Sequence, residues 1–202
     1  MPSMGRNKGY DRQELARRAM ALFWRHGYSA TSIGQLVATT GVSRHGLYAE
    51  FTDKRGLFIE SVGVYANEVV TPAFGPVEAQ GAGTAQIRTF LATQIDRAVS
   101  AGLPGPGCLM ANLMIEAEPH DREFGGLVGR HLSRLANGFE QAMRNEQSQR
   151  RAARDLPLHE LALNLTIAIQ GLWTVSRVVS QPRVLHAYAN SLIDQLEGNL
   201  SP

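Results

Sequence analysis

Residues 31–51 read "TSIGQLVATTGVSRHGLYAEF", two short helical patterns on either side of "TGVS", and this stretch limits the fold more than any other. Thr31 or Ser32 caps a first helix with Ile33, Leu36 and Val37 on its inner side, and Gly41, just past Thr40, supplies a tight turn. Ser43 caps a second helix of about two turns that ends at Glu50 or Phe51. At about 100° per residue, Leu47 and Phe51 point together toward neighbouring helices, leaving His45 and Ala49 outward, Gly46 and Tyr48 on the flanks and Arg44 in the first turn. Two small helices joined through a glycine turn form a helix-turn-helix, and the second is sized to enter a DNA major groove. Gly46 and Ala49 would let its backbone approach the duplex closely.

Helical spacing continues on both sides. Leu15, Ala19, Leu22 and Phe23 recur at three- and four-residue steps from Asp11 to His26, with Gly27 at a C′ position. "TDK" opens a helix over about 54–70. The stretch "TPAFGPVEAQGAG" breaks it near Pro72, where the composition changes. Further helices are predicted over 84–101, 108–118, 121–148, 158–179 and 184–197, with "GLPGPG" as a loop. No strand-length alternation competes with them. The expected fold is all-α, with a three-helix head in residues 1–55, a larger helical body in residues 56–202, and the helix over about 54–70 connecting the two.

Charge divides the chain in the same place. Residues 1–60 carry nine basic and five acidic side chains, a balance of +4, whereas the remaining 142 balance to −2. A basic head on a slightly acidic body suits contact with phosphates. Arg44 and His45 can donate to guanine N7 or O6, Tyr48 and Thr31 to phosphates, and Lys54 adds charge at a helix start where backbone amides already favour anions. An N-terminal arm with Arg6 and Lys8 would lie along a minor groove. No segment reaches the roughly 18 uninterrupted apolar residues of a membrane span, and "MPSMGRNKGYDRQ" lacks the apolar stretch of a secretory signal. A cytoplasmic protein is expected, and a single cysteine, Cys108, fits a reducing compartment.

The stretch "ARRAMALFWRHGYSATSIGQLVATTGVSRHGLYAEFTDKRGLF" resembles the N-terminal domain of the TetR family of bacterial transcriptional regulators. It matches that pattern at Ala19, Phe23, Gly27, Tyr28, Thr31, Ile33, Gly41, Val42, Ser43, Leu47, Tyr48, Phe51, Lys54 and Leu57. The resemblance implies a nine-helix-type fold and a dimer that binds a palindromic operator. It puts DNA contacts on Thr31, Ser43, Arg44, His45, Tyr48 and Lys54. The chain departs from the pattern at His45, where a small residue is common, and at Glu50, where an aromatic or histidine is. "GCLMANLMIEAEPHD" looks like a subgroup in which a Gly-Cys pair begins a body helix.

In the body, "ELALNLTIAIQGLWTVSRVV" has apolar residues on more than one face, so a second partner is implied. Leu161, Leu165, Ile169, Leu172, Tyr188 and Leu192 are the expected seam of a homodimer, two helices from each chain forming a four-helix interface. A pocket for a small-molecule effector is expected among Phe90, Gln94, Cys108, Met110, Asn112, Met114, Phe124, His131, Trp173 and Arg177, which mix adaptable apolar surface with a few polar groups. Cys108 follows the "GLPGPG" loop, where helix-terminal amides would lower its pKa, giving an alternative reading as a redox or electrophile sensor. No nucleophile-base arrangement, phosphate loop or metal-ligand spacing is legible, so no enzyme, cofactor or metal is expected. A helical enzyme or carrier with an incidental helix-turn-helix remains the more distant alternative.

Overall fold

The computed structural model of the chain describes residues 10–150 and 156–200, and among these the regular structure is entirely helical. The head consists of α1 (Arg12–His26), α2 (Ile33–Thr40) and α3 (Arg44–Phe51). Short polar residues start each helix. Asp11 accepts from the Gln13 amide, Ser32 and Gln35 form a reciprocal capping box, and Ser43 accepts from the Gly46 amide. Gly41 takes the left-handed turn at φ 73° between α2 and α3. Leu15, Ala19 and Phe23 of α1 close with Leu36 of α2 and Leu47 and Phe51 of α3 into a core that excludes nearly all solvent.

The passage from α3 to α4 (Lys54–Tyr65) is a single tight turn. Thr52 lies at φ 70°, ψ −52°, with the Asp53 amide donating to the Phe51 carbonyl at 2.8 Å. This is a γ-turn of the rare, strained kind. The Asp53 side chain then caps α4 by accepting from the Gly56 amide, and a Cβ at Gly56 would stand 2.0 Å from the Phe51 carbonyl oxygen. No side chain fits at Gly56, so α3 is held at a fixed angle to α4.

The helix does not end near Pro72, contrary to the sequence expectation. It widens into a π-helical turn at Ala66–Val70 and continues as α5 (Thr71–Glu78), the Thr71 amide donating back to the Ala66 carbonyl. In an unbroken α-helix the Pro72 ring would collide with the carbonyl four residues before it, and the wider turn accommodates it. Proline here redirects the helix instead of stopping it.

The body adds α6 (Thr84–Ala101), α7 (Leu109–Glu116), α8 (Arg122–Arg150), α9 (Leu158–Val175) and α10 (Pro182–Leu200). α8 packs along α9 and α10 packs against α6. No helix of the described residues is long and apolar enough to cross a membrane. Buried residues form one cluster from head to body. Its bridge is aromatic: Phe58 of α4, 1% exposed, has ring-centroid distances of 5.0 Å to Phe23, 4.9 Å to Tyr28 and 5.3 Å to Phe124.

Candidate functional site

The exposed side of α3 follows from its two-turn length. With Leu47 and Phe51 committed to the core, Arg44, His45 and Ala49 face solvent, and Tyr48 is half-buried beside them. The Arg44 guanidinium sits 5.3 Å from the Tyr48 ring centroid, which aligns two donors on one surface. Several other arginines of this region are engaged. Arg12 pairs with Glu60, Arg17 with Glu14 and Glu68, and Arg55 with Asp121 and Glu123. Arg44 has no carboxylate partner among the described residues, so its charge stays directed outward.

The other expected DNA contacts fall differently. Ser43 is exposed, but its hydroxyl caps α3. Thr31 is a correction: its side chain is fully buried and its hydroxyl donates to the Gly27 carbonyl at 2.6 Å, because the cap of α2 is Ser32 and the register places Thr31 inward. It offers nothing to a phosphate. Lys54 is half-buried, its Nζ 4.5 Å over the Tyr28 ring and 3.4 Å from the Ser29 carbonyl, and this partial desolvation lowers its pKa. Arg6 and Lys8 lie outside the described residues.

Polar links fasten the head to the start of the body, among them the following. The Trp24 indole of α1 donates to the Gly107 carbonyl at 2.8 Å. The Ser29 amide, in the turn after α1, donates to Glu116 of α7 at 2.7 Å. Arg55 grips both oxygens of Asp121 at 2.6 and 2.8 Å, adds Glu123 at 2.6 Å, and lies 3.9 Å over the Phe124 ring. That bidentate guanidinium holds the Asp121 carboxyl down at about 2, below the ordinary carboxylate range. The links converge on α7 and its flanks.

Behind α7 the body encloses a cavity of about 280 Å³, bounded by Tyr65, Phe74, Phe90, Gln94, Ile169, Gln170 and Trp173, among others. Trp24 reaches it from the head. Of the expected pocket residues, Phe90, Gln94, Cys108, His131 and Trp173 border it, and five do not. Met110 is buried in the core and Met114 packs against that core. The Asn112 amide donates to the Pro106 carbonyl at 3.0 Å, Phe124 belongs to the aromatic bridge, and Arg177 donates to the Pro106 carbonyl at 3.1 Å. These residues shape the loop and core behind the wall. Trp24, Tyr65 and Gln170 were missed, because helical spacing marks a residue as inward without saying whether a void or a neighbour lies beyond it.

Cys108 is buried at the N-cap of α7 and receives a long hydrogen bond from the Tyr65 hydroxyl at 3.4 Å. Burial raises its pKa, outweighing the amides of Met110 and Ala111. The expected low-pKa thiol is therefore absent from this position.

His131 is mostly desolvated and near Arg134, which together lower its pKa from 6.5 to about 4. The folded chain keeps this imidazole neutral while the unfolded chain protonates it. Stability is therefore expected to fall as pH drops from about 6.5 through about 4, and to level off once the folded form also binds the proton. Thermal melts across that range test it: the stability of wild type relative to His131→Gln should fall with acidity, whereas a pH-independent difference would contradict it.

The dimer seam also needs correction. Leu165, Ile169 and Leu172 are between 0 and 5% exposed within a single chain, and Leu161 and Leu192 are partly covered by its core. Along α9 and α10 the large apolar side chains left exposed are Leu163, Ile167, Val175 and Val178 beside Val184 and Tyr188, with Ile167 at 68% and Val178 at 76% exposure. Of the expected seam, Tyr188 alone belongs to this open set.

Residues 15–60 match the model of the bacterial regulatory proteins, tetR family. The chain is 31% identical over 176 residues to the HTH-type transcriptional repressor ComR of Escherichia coli (strain K12), covering 84% of this chain and 81% of that protein. It is 30% identical over 136 residues to the uncharacterized HTH-type transcriptional regulator YezE of Bacillus subtilis (strain 168), covering 67% and 70%. Among solved structures, its fold is similar to that of a cysteine mutant of the TetR family transcriptional regulator CifR complexed with 26-bp double-strand operator DNA. The TM-score is 0.82 with 22% identity over 94% of this chain and 98% of that one.

Proposed function

The chain belongs to the TetR family of bacterial regulatory proteins and is a DNA-binding transcriptional regulator, and from that premise we propose a repressor that binds a near-palindromic operator as a homodimer and leaves it when a small molecule fills the body cavity. The observation that carries this reading is the route from cavity to head. Trp24 is at once part of the cavity wall, part of α1 and hydrogen-bonded to Gly107. A ligand against Trp24 or the Gly107 loop would shift α7, and Glu116 and Asp121 would carry that shift to Ser29 and Arg55. Two heads held about 34–36 Å apart would then lose register with successive major grooves. A ligand produces this only by binding the displaced arrangement better than the DNA-bound one.

On DNA, Arg44 and His45 are assigned to base edges, with Tyr48, Ser43 and Lys54 at the backbone. Mobility shifts with the DNA upstream of the protein's own gene test the assignment. His45→Ala is expected to relax preference at a few operator positions, by about 1–3 kcal/mol at each, while leaving affinity for random DNA unchanged. Lys54→Ala should weaken all sequences alike and reduce the slope of log affinity against log salt by about one. Equal losses on operator and random DNA for His45→Ala would remove its reading role.

A further inference from the structure

We propose that the body cavity takes an uncharged, largely apolar molecule with one group that both donates and accepts a hydrogen bond, of the aryl alcohol or phenol class, and that it discriminates against carboxylates. Most of the wall is apolar, formed by side chains such as Val69, Phe74, Phe90 and Ile169. Set into it are three buried polar atoms without a hydrogen-bond partner among the described residues: His131 Nε2 and both the Nε2 and Oε1 of Gln170. Gln170 is 6% exposed, so bulk solvent does not serve its amide. Buried polar atoms are almost always paired, and a cavity-lining residue whose amide is buried with neither end paired is the pattern of a binding group.

The chemistry of these atoms selects the ligand. An amide presents a donor and an acceptor, and the neutral imidazole presents one or the other according to its tautomer. A hydroxyl answers both, and a bare hydrocarbon answers neither. A carboxylate would bring a charge with no buried cation to meet it. Arg97 borders the cavity only from an exposed position, and Arg177 is engaged with the Pro106 carbonyl. The Tyr65 hydroxyl already donates to Cys108, so it does not compete for the ligand. The proposal deepens the repressor reading and depends on it for its regulatory meaning.

Both tryptophans of the chain, Trp24 and Trp173, border the cavity, so their emission reports occupancy without DNA. Titration of the full-length protein with para-ethylphenol, ethylbenzene and para-ethylbenzoate, followed by tryptophan emission and by calorimetry, tests the class. The phenol is expected to bind at least tenfold more tightly than either of the others. Gln170→Leu, close in volume, should remove most of the phenol's advantage while ethylbenzene still binds, which would also show that the cavity survives the substitution. Should that variant not fold, Gln170→Met serves the same comparison. Tighter binding of the benzoate, equal binding of phenol and ethylbenzene, an unchanged preference in the Gln170 variant, or no binding of any probe would each overturn the proposal. Operator release is measured separately. Phenol binding that leaves the protein–operator complex intact would support the ligand class and overturn the release mechanism.

Discussion

Replacing Ile167 by glutamate is expected to separate the chains of the proposed homodimer and lower operator affinity by about two to four orders of magnitude. The expectation rests on which apolar residues a single chain leaves uncovered. Ile167 and Val178 are 68% and 76% exposed, with Leu163, Val175, Val184 and Tyr188 alongside. Six large apolar side chains of α9, α10 and the turn between them stay exposed, the kind of surface that marks a protein interface. A carboxylate in its middle would be desolvated without a partner on association, which costs far more than it does on a free chain. Two heads on one dimer bind two half-sites with a high effective concentration for the second, and an isolated head loses that advantage. Sedimentation and operator mobility shifts should fail together in Ile167→Glu while its melting curve stays cooperative. Leu165→Glu, by contrast, buries the charge in the chain's own core and should unfold it. A dimeric Ile167→Glu that still binds its operator would place the interface elsewhere.

The second large effect is expected at Phe58. Its ring is 1% exposed and lies between Phe23 and Tyr28 of the head and Phe124 of the body. Phe58→Ala removes the centre of the bridge and leaves a void that rings on three sides cannot collapse to fill. The cost of such a truncation is about 3–5 kcal/mol. At about 2–4 °C per kcal/mol for a chain of this size, the melting temperature should drop by roughly 10 °C. Phe90→Ala, at a wall already open to the cavity, should cost much less. Thermal melting followed by circular dichroism compares the two, and equal drops would mean that the aromatic bridge has no special part in joining head to body.

The helices were legible because spacing and caps agree locally. Asp11, Ser32 and Ser43 each stand one residue before an apolar period, and each caps the helix that follows. The outward side of α3 was legible for the same reason, since only Leu47 and Phe51 can face inward in two turns. Where two answers share one local signature, the sequence could not choose. Thr31 and Ser32 are equally good capping residues, and the choice between them decides which is buried. In α9 the core row of Leu165, Ile169 and Leu172 and the open row of Leu163 and Ile167 are both apolar along one helix, and only the placement of the helices packed on α9 separates them. Cys108 depended on a contest between local hydrogen-bond donors and desolvation, and its full burial in the folded core decides it. The cavity was hardest to foresee, because a void is defined by what several distant segments fail to fill.

The π-helical turn at Ala66–Val70 bears on how such a protein can change over generations. The turn carries one residue more than an α-helical turn, at the point where the helix passes the cavity between Tyr65 and Val70. Losing a single codon there would let the ladder close as an α-helix. The N-terminal part would then rotate by about 100° and shift by about 1.5 Å relative to α5. Because the tight turn at Thr52 and the close approach of Gly56 fix α3 to α4, that rotation would be passed to the DNA-reading surface undiminished. Pro72 opposes the event, since α-helical closure would drive its ring into a carbonyl. The same rotation would draw Phe58 away from Phe124 and Arg55 away from Asp121, so the extra residue, the proline and the head–body contacts constrain one another, and the aim of the head is inherited with all of them.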